Sequence, residues 1–195
     1  MHHILIRQDI TKSYCIDPTF TSTVGSVIGH NGFSIGAWFP RQLAMVRDGM
    51  HNLPMGGIAG NSISGAYSVV IASSNAKGGK DIDHGNTIYY SSTLRSSDSL
   101  NNGSRILNRS IETGNPIRVI RKSTCDFVNR PVVGYRYEGL FKAVSIEEKN
   151  EGEEGGEKVF WSLFRLERVP GQVGFDLNRP TERERMDYKR VDEGY

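Results

Sequence analysis

The feature that most constrains this chain is a series of short runs dense in β-branched and aromatic residues, each bounded by Gly, Pro, Asn or Ser. Tyr67-Ser-Val-Val-Ile-Ala72 is the most compact of them and reads as a buried strand. Thr87 to Ser91, Ile117 to Arg121, Tyr135 to Val144 and Val159 to Leu166 have the same character. Runs of this kind must pair with one another around a shared core, and 195 residues suffice for one such core with tails. Helical spacing appears in two places. Pro40 opens a short amphipathic helix that carries Phe39, Leu43 and Val46 and stops at Gly49. Ser104 is the predicted cap of a second, with Leu107 and Ile111 on one side, Arg105 and Arg109 on another, and a stop at Gly114.

The remaining segments are loops and ends. Residues 1–34 lack clear periodicity and form a lead-in segment, within which Gly25 to Gly32 reads as an ordered loop. Ser73 to Gly85 is a polar loop too long for a tight hairpin and long enough to shape a site. The acidic stretch from Glu147 to Gly156 is predicted as an exposed hairpin loop. Residues 173–195 form a charged C-terminal tail, with Thr181 to Arg190 as a solvated helix or extension. A net charge of +2 is only mildly basic, so any nucleic-acid contact must come from a local face. Cys15 and Cys125 lack the count and spacing of a disulfide framework or zinc site and are expected as free thiols. With no apolar run of about 18 residues and no basic-then-apolar leader, the sequence predicts a soluble, intracellular protein with no membrane partner.

Three constellations could carry chemistry. Asp81-Ile-Asp83-His84 offers two carboxylates and an imidazole in four residues, as a metal-dependent nuclease or hydrolase would use. A loop whose Asp and His side chains cap their own backbone also accounts for that pattern, and turn chemistry favours it over a metal site. Serines are plentiful, but no Gly-x-Ser-x-Gly elbow occurs. The Gly-rich loop Met55 to Gly60 lacks the spacing of a dinucleotide site and the Lys of a phosphate-cradling loop.

Taken in order, the blocks Ile35-Gly-Ala-Trp38, Gly49-Met-His51, Met55-Gly-Gly-Ile58, Gly65 to Ala72, Asp81-Ile-Asp-His-Gly85, Tyr89-Tyr-Ser91, Gly114 to Arg121, Tyr135-Arg-Tyr-Glu-Gly139 and Trp161 to Arg168 resemble the SRA (SET- and RING-associated, or YDG) domain family. The resemblance covers about residues 35–172. It implies an α+β fold, a curved SRA-like β-barrel flanked by short helices. It also implies a non-enzymatic reader that binds double-stranded DNA containing modified cytosine and flips that base into a pocket, with no cofactor. A nuclear location follows from that ligand, with histone or chromatin proteins as further partners.

By this resemblance Asp81 matches the carboxylate that accepts the exocyclic amine of the flipped cytosine, and Tyr90 matches a stacking ring. Ser91 matches the residue beside the 5-methyl group, and Ala72 with Ser73 the pocket wall. Met55 matches the residue pushed into the duplex, from a loop that also holds Gly57. Lys77, Lys80, Arg95, Arg105 and Arg109 border the pocket in sequence and are candidates for phosphate contact. The chain departs from the family pattern at Ser73-Ser-Asn75 and in the extra residues Ala76 to Lys80, where a second stacking aromatic is missing and Tyr89 is a candidate replacement. Asn101, Asn102 and Arg105 are candidates for a short finger loop. The family's Tyr-Asp-Gly reads Tyr137-Glu138-Gly139 here, a motif taken as structural. A scaffold that retained the fold after losing the pocket is the remaining alternative.

Overall fold

The computed structural model describes residues 3–8, 12–72, 81–92, 99–154 and 157–193. A hairpin of β1 (Ile4–Gln8) and β2 (Lys12–Ile16) opens the chain, in a region with no sequence periodicity to announce it. After β3 (Trp38–Phe39) and α1 (Gln42–Asp48) come β4 (Ile58–Asn61), β5 (Gly65–Ile71), β6 (Ile82–Asp83) and β7 (Thr87–Ser91). They are followed by α2 (Asn102–Thr113), β8 (Ile117–Lys122), β9 (Tyr135–Glu154), β10 (Glu157–Arg168) and α3 (Glu182–Glu193).

Eight strands form one sheet in the order β4-β5-β8-β9-β10-β7-β6, with β3 paired to β9. Its pairings are antiparallel except β5 with β8. No pairing among the described residues joins β4 to β6, so the sheet runs open and a closed barrel is not formed among them. The fold is mixed α+β, with a large sheet and three helices. Register shifts between Ala59 and Gly60, between Val119 and Ile120, and between Arg165 and Leu166 place bulges in three of the pairings, where the strands bend and twist more strongly.

Every residue of β5 is buried, the mark of a strand covered on both faces. Val69 and Ile71, with Ile117 and Val119 of β8, pack with Ile106 and Leu107 of α2. Val70 and Ile120 point the other way, to Phe39, Ala44, Met45 and Ile4. Two cores thus lie on opposite faces of one sheet, as the alternation of side chains along a strand requires.

The helices follow their termination chemistry. Gly49 caps α1 at φ 83°, a left-handed conformation that costs glycine least. The cap of α2 is Asn101 rather than Ser104: the Asn101 side chain accepts the Ser104 N–H at 2.8 Å, because Ser104 sits at the third helical position, where the orphan donor is. At α3, Thr181 and Glu184 form a reciprocal capping box, with Thr181 N–H donating to Glu184 at 2.7 Å and Glu184 N–H to the Thr181 hydroxyl at 3.3 Å. Through the acidic stretch, β9 extends to Glu154 and β10 begins at Glu157, so most of the expected loop is paired strand.

Candidate nucleic-acid interface

Asp81 stands immediately before β6, and burial leaves it 7% exposed. Its Oδ1 accepts the Ser91 main-chain N–H at 2.7 Å, which ties the start of β6 to the end of β7. Burial pushes its carboxyl up to about 7, reinforced by the charges of Asp83 and Asp126 and opposed by the Ser91 hydrogen bond. A carboxyl poised near neutrality can present either an acceptor pair or an acceptor and an O–H donor.

Two residues on, Asp83 holds β6 in place. Its carboxylate makes a bidentate pair with Arg121 of β8, Nε to Oδ2 at 2.7 Å and Nη2 to Oδ1 at 2.7 Å, and Arg121 also donates to the Gly85 carbonyl at 2.7 Å. The Arg121 guanidinium lies over the Phe127 ring at 4.0 Å. Glu138 stands 3.6 Å from Arg121 and accepts from Arg136 Nε at 2.8 Å, so Arg121, Arg136, Asp83 and Glu138 form a buried, charge-balanced cluster. Such a cluster stands because each charge is desolvated against a partner. Its geometry anchors Asp83 at the end of β6, two residues beyond Asp81.

The Tyr90 ring on β7 is half-buried against the α2-side core, opposite Phe164 of β10. Burial and the nearby Asp81 charge hold its hydroxyl in the neutral form. A Cβ at Gly57 would lie 2.8 Å from the Tyr90 hydroxyl, so the Gly-rich loop and the ring meet only because position 57 has no side chain. Gly57 in turn accepts the Val70 N–H at 2.8 Å, which places it against β5 near Ala72. Asp81, Tyr90, Ser91 and Gly57 are therefore neighbours. Ser73, Lys77, Lys80 and Arg95, also named from the sequence, lie outside the described residues.

Met55 is 92% exposed at the tip of the loop between α1 and β4. Two side chains that the sequence reading passed over brace that loop from beneath. The buried His51 ring is 2.7 Å from the Ser68 hydroxyl of β5 through Nδ1 and 2.9 Å from the Gly56 carbonyl through Nε2. Burial depresses the imidazole to about 4, so near neutral pH the ring carries one proton; with Nε2–H donating to the carbonyl, Nδ1 accepts from Ser68. Gln42 donates from Nε2 to the Leu53 carbonyl at 2.9 Å and to Gly56 at 2.7 Å. The invisible signal was position: a His in a Gly-Met-His block and a Gln in the first helical turn have no period or motif that marks them as supports.

Other assignments separate. Arg105 is exposed on α2, whereas Arg109 donates to the Ile63 carbonyl at 3.0 Å and pairs with Glu112 at 2.6 Å. The proposed metal triad does not converge. Both oxygens of Asp83 are engaged by Arg121, and His84 is exposed with its ring edge-on to Tyr89. Among the described residues no group of three or more His, Cys, Asp or Glu could hold a metal ion. Cys15 and Cys125 are unbridged, and no described helix is long and apolar enough to cross a membrane.

These features define a small α+β domain in which a buried carboxyl, an aromatic ring and a braced exposed loop meet. Residues 27–172 match the SAD/SRA domain model, and the chain belongs to that family. It is 29% identical over 156 residues to a UHRF1-like protein of Cryptococcus neoformans var. grubii serotype A, covering 70% of this chain and 44% of the relative. The chain thus spans less than half the length of that curated relative. Among solved structures, the modification-dependent TagI restriction endonuclease aligns with a TM-score of 0.60 at 28% identity, over 73% of this chain and 52% of that one. The SUVH5 SRA domain, in a complex with methylated CHH DNA, aligns with a TM-score of 0.59 at 26% identity, over 77% of this chain and 99% of that one.

Proposed function

We propose that this domain is a non-catalytic reader of duplex DNA that rotates a modified cytosine, 5-methylcytosine or an oxidised form, out of the helix into the site between Asp81 and Tyr90. The observation that carries the reading is the buried Asp81 carboxyl, oriented by the Ser91 N–H beside a ring. One carboxyl oxygen accepts the N4 amine of the flipped base; in its protonated form the other donates to N3, so the acid matches the N4 and N3 atoms of the Watson–Crick edge. Tyr90 stacks on the base, which is worth about 1–3 kcal/mol and offsets much of the few kcal/mol that flipping costs. Ser91 lies beside the 5-methyl group, and Ala72 with Ser73 forms the pocket wall. That methyl contributes only about 0.8 kcal/mol, so selectivity depends on a close fit.

Met55 enters the duplex from its braced loop, with Gly57 at the rim. Arg105 supplies phosphate contact from α2, as do Lys77, Lys80 and Arg95, with Arg109 contributing through the β4–β5 turn it holds. Residues 35–172 are the reading unit. The SUVH5 complex with methylated DNA supports the ligand class. Asp83's engagement by Arg121 speaks against a metal nuclease at this site. A nuclear location, with chromatin proteins as further partners, accords with that ligand.

The test is a binding titration of unmodified, hemimethylated, fully methylated and hydroxymethylated duplexes against wild type and Asp81→Ala, with EDTA and with magnesium. A modified duplex is preferred, the preference disappears in the variant, and binding survives EDTA without cleavage in magnesium. Equal weak binding to all four duplexes, unchanged by the substitution, would refute the reading.

A further inference from the structure

Segments on both sides of the matched family region converge on one place. Tyr14 from β2 and Tyr188 from α3 face a cleft of about 590 Å³ that is also lined by Arg41, Met55, Lys122 and Tyr135. Both tyrosines lie outside residues 27–172, so this wall is an addition to the family domain. The Arg41 guanidinium lies over the Tyr14 ring at 4.2 Å and donates to its hydroxyl at 3.2 Å. Lys122, half-buried at the end of β8, holds its ammonium 5.9 Å from the centre of the Tyr135 ring. The Tyr188 ring stands edge-on to Trp38 at 6.4 Å, which fixes α3 against β3.

The chemistry of this cleft favours an anion. Its described lining includes an ammonium and a guanidinium and no carboxylate, and a concave surface lined by one sign of charge focuses its potential. Its volume exceeds what a single inorganic phosphate fills, and tyrosine rings offer apolar surface that a sugar can cover. Met55 belongs to both places: it is the exposed tip proposed to enter the duplex, and it lines this cleft.

We propose that the cleft is a second DNA contact, which seats the sugar-phosphate backbone flanking the flipped nucleotide, with Lys122 as the phosphate-binding group and the Arg41–Tyr14 stack as its wall. The proposal rests on the DNA-reading function above and extends its footprint onto the hairpin and α3. Lys122 contributes through charge, so it acts equally on modified and unmodified duplexes, unlike Asp81.

The experiment measures affinity against salt for modified and unmodified duplexes with wild type, Lys122→Gln and Lys122→Arg. Each phosphate contact contributes about 0.9 to the slope of log affinity on log salt, so Lys122→Gln should lower the slope by about that amount. The loss of affinity should be several-fold and the same for both duplexes, and Lys122→Arg should restore it. A second arm walks single neutral methylphosphonates along both strands beside the modified base, with wild type and with Lys122→Gln. One or two positions should weaken wild-type binding and leave Lys122→Gln unaffected.

An unchanged slope in Lys122→Gln overturns the cleft while leaving the base-reading function standing, provided that wild type prefers the modified duplex. A loss confined to the modified duplex also overturns it, because it would place Lys122 in the base pocket. Should Lys122→Gln melt early, the methylphosphonate walk decides: wild-type affinity indifferent to every neutralised phosphate on that side sinks the proposal. A lowered slope in a protein with no modified-base preference upholds the phosphate contact at Lys122 but refutes the reader, and with it the placing of that contact beside a flipped nucleotide. Absence of any duplex binding overturns both.

Discussion

Asp81 is held at a cost. Its carboxyl titrates near 3.8 in an unfolded chain and at about 7 in the fold, a difference worth about 4 kcal/mol. Between those values the folded state binds a proton that the unfolded state has released, so stability from this group is full below pH 4 and is lost as pH rises through 7. Asp81→Asn removes the ionisation and retains an oxygen for the Ser91 N–H. The variant should therefore be more stable than wild type at pH 8, by a margin that shrinks towards pH 4, in denaturant titrations at both pH values. The same proton governs recognition in the acid form, so the ratio of modified to unmodified affinity should fall as pH rises from 6 to 8. Stability gained together with base preference lost would mark Asp81 as a group kept for ligand rather than for folding.

At the scale of elements, the site depends on how a loop is supported from the strands beneath it. The Met55 loop is joined to β5 through His51 and Ser68 and to α1 through Gln42, with Gly56 receiving both side chains. Gln42 is half-exposed, so it can be changed without opening the core. Gln42→Glu exchanges a donor of two hydrogen bonds for an acceptor that faces two carbonyls. The variant should fold with a melting temperature within a few degrees of wild type, yet show faster amide exchange at residues 53–57. Base extrusion, followed by the fluorescence of a 2-aminopurine beside the modified base, should slow several-fold. Unaltered exchange at those amides would show that the loop needs no brace from α1.

For the whole molecule, Arg118 plays the part that Gln42 plays for one loop. Fully buried on β8, it donates to the carbonyls of Met50 at 3.1 Å, Val27 at 2.5 Å, Gly29 at 2.7 Å and Gly25 at 2.6 Å. One side chain thereby fastens the lead-in segment and the end of α1 to the central sheet. Arg118→Met would leave four carbonyls without this donor, at about 1–3 kcal/mol for each that water cannot reach, so a loss of at least 3 kcal/mol is expected by denaturant unfolding. Exchange should accelerate at residues 25–31 before the global transition. Local periodicity made much of this architecture legible beforehand. The β-branched runs became β5, β7, β8, β9 and β10, Gly49 and Gly114 ended their helices, and Asp81 and Tyr90 stood ten residues or fewer apart on a loop and the strand it feeds. These are properties of short windows, set by side-chain spacing and backbone conformational cost, and they survive whatever the rest of the chain does. The remainder lay in pairings across long separations. Arg121 meets Asp83 across 38 positions, Tyr90 closes on Gly57, and Tyr14 and Tyr188, from near the two ends of the chain, line one cleft. No window contains both partners, so their meeting is decided by strand order and register, and with it the presentation of Asp81 and the shape of the cleft beside Met55.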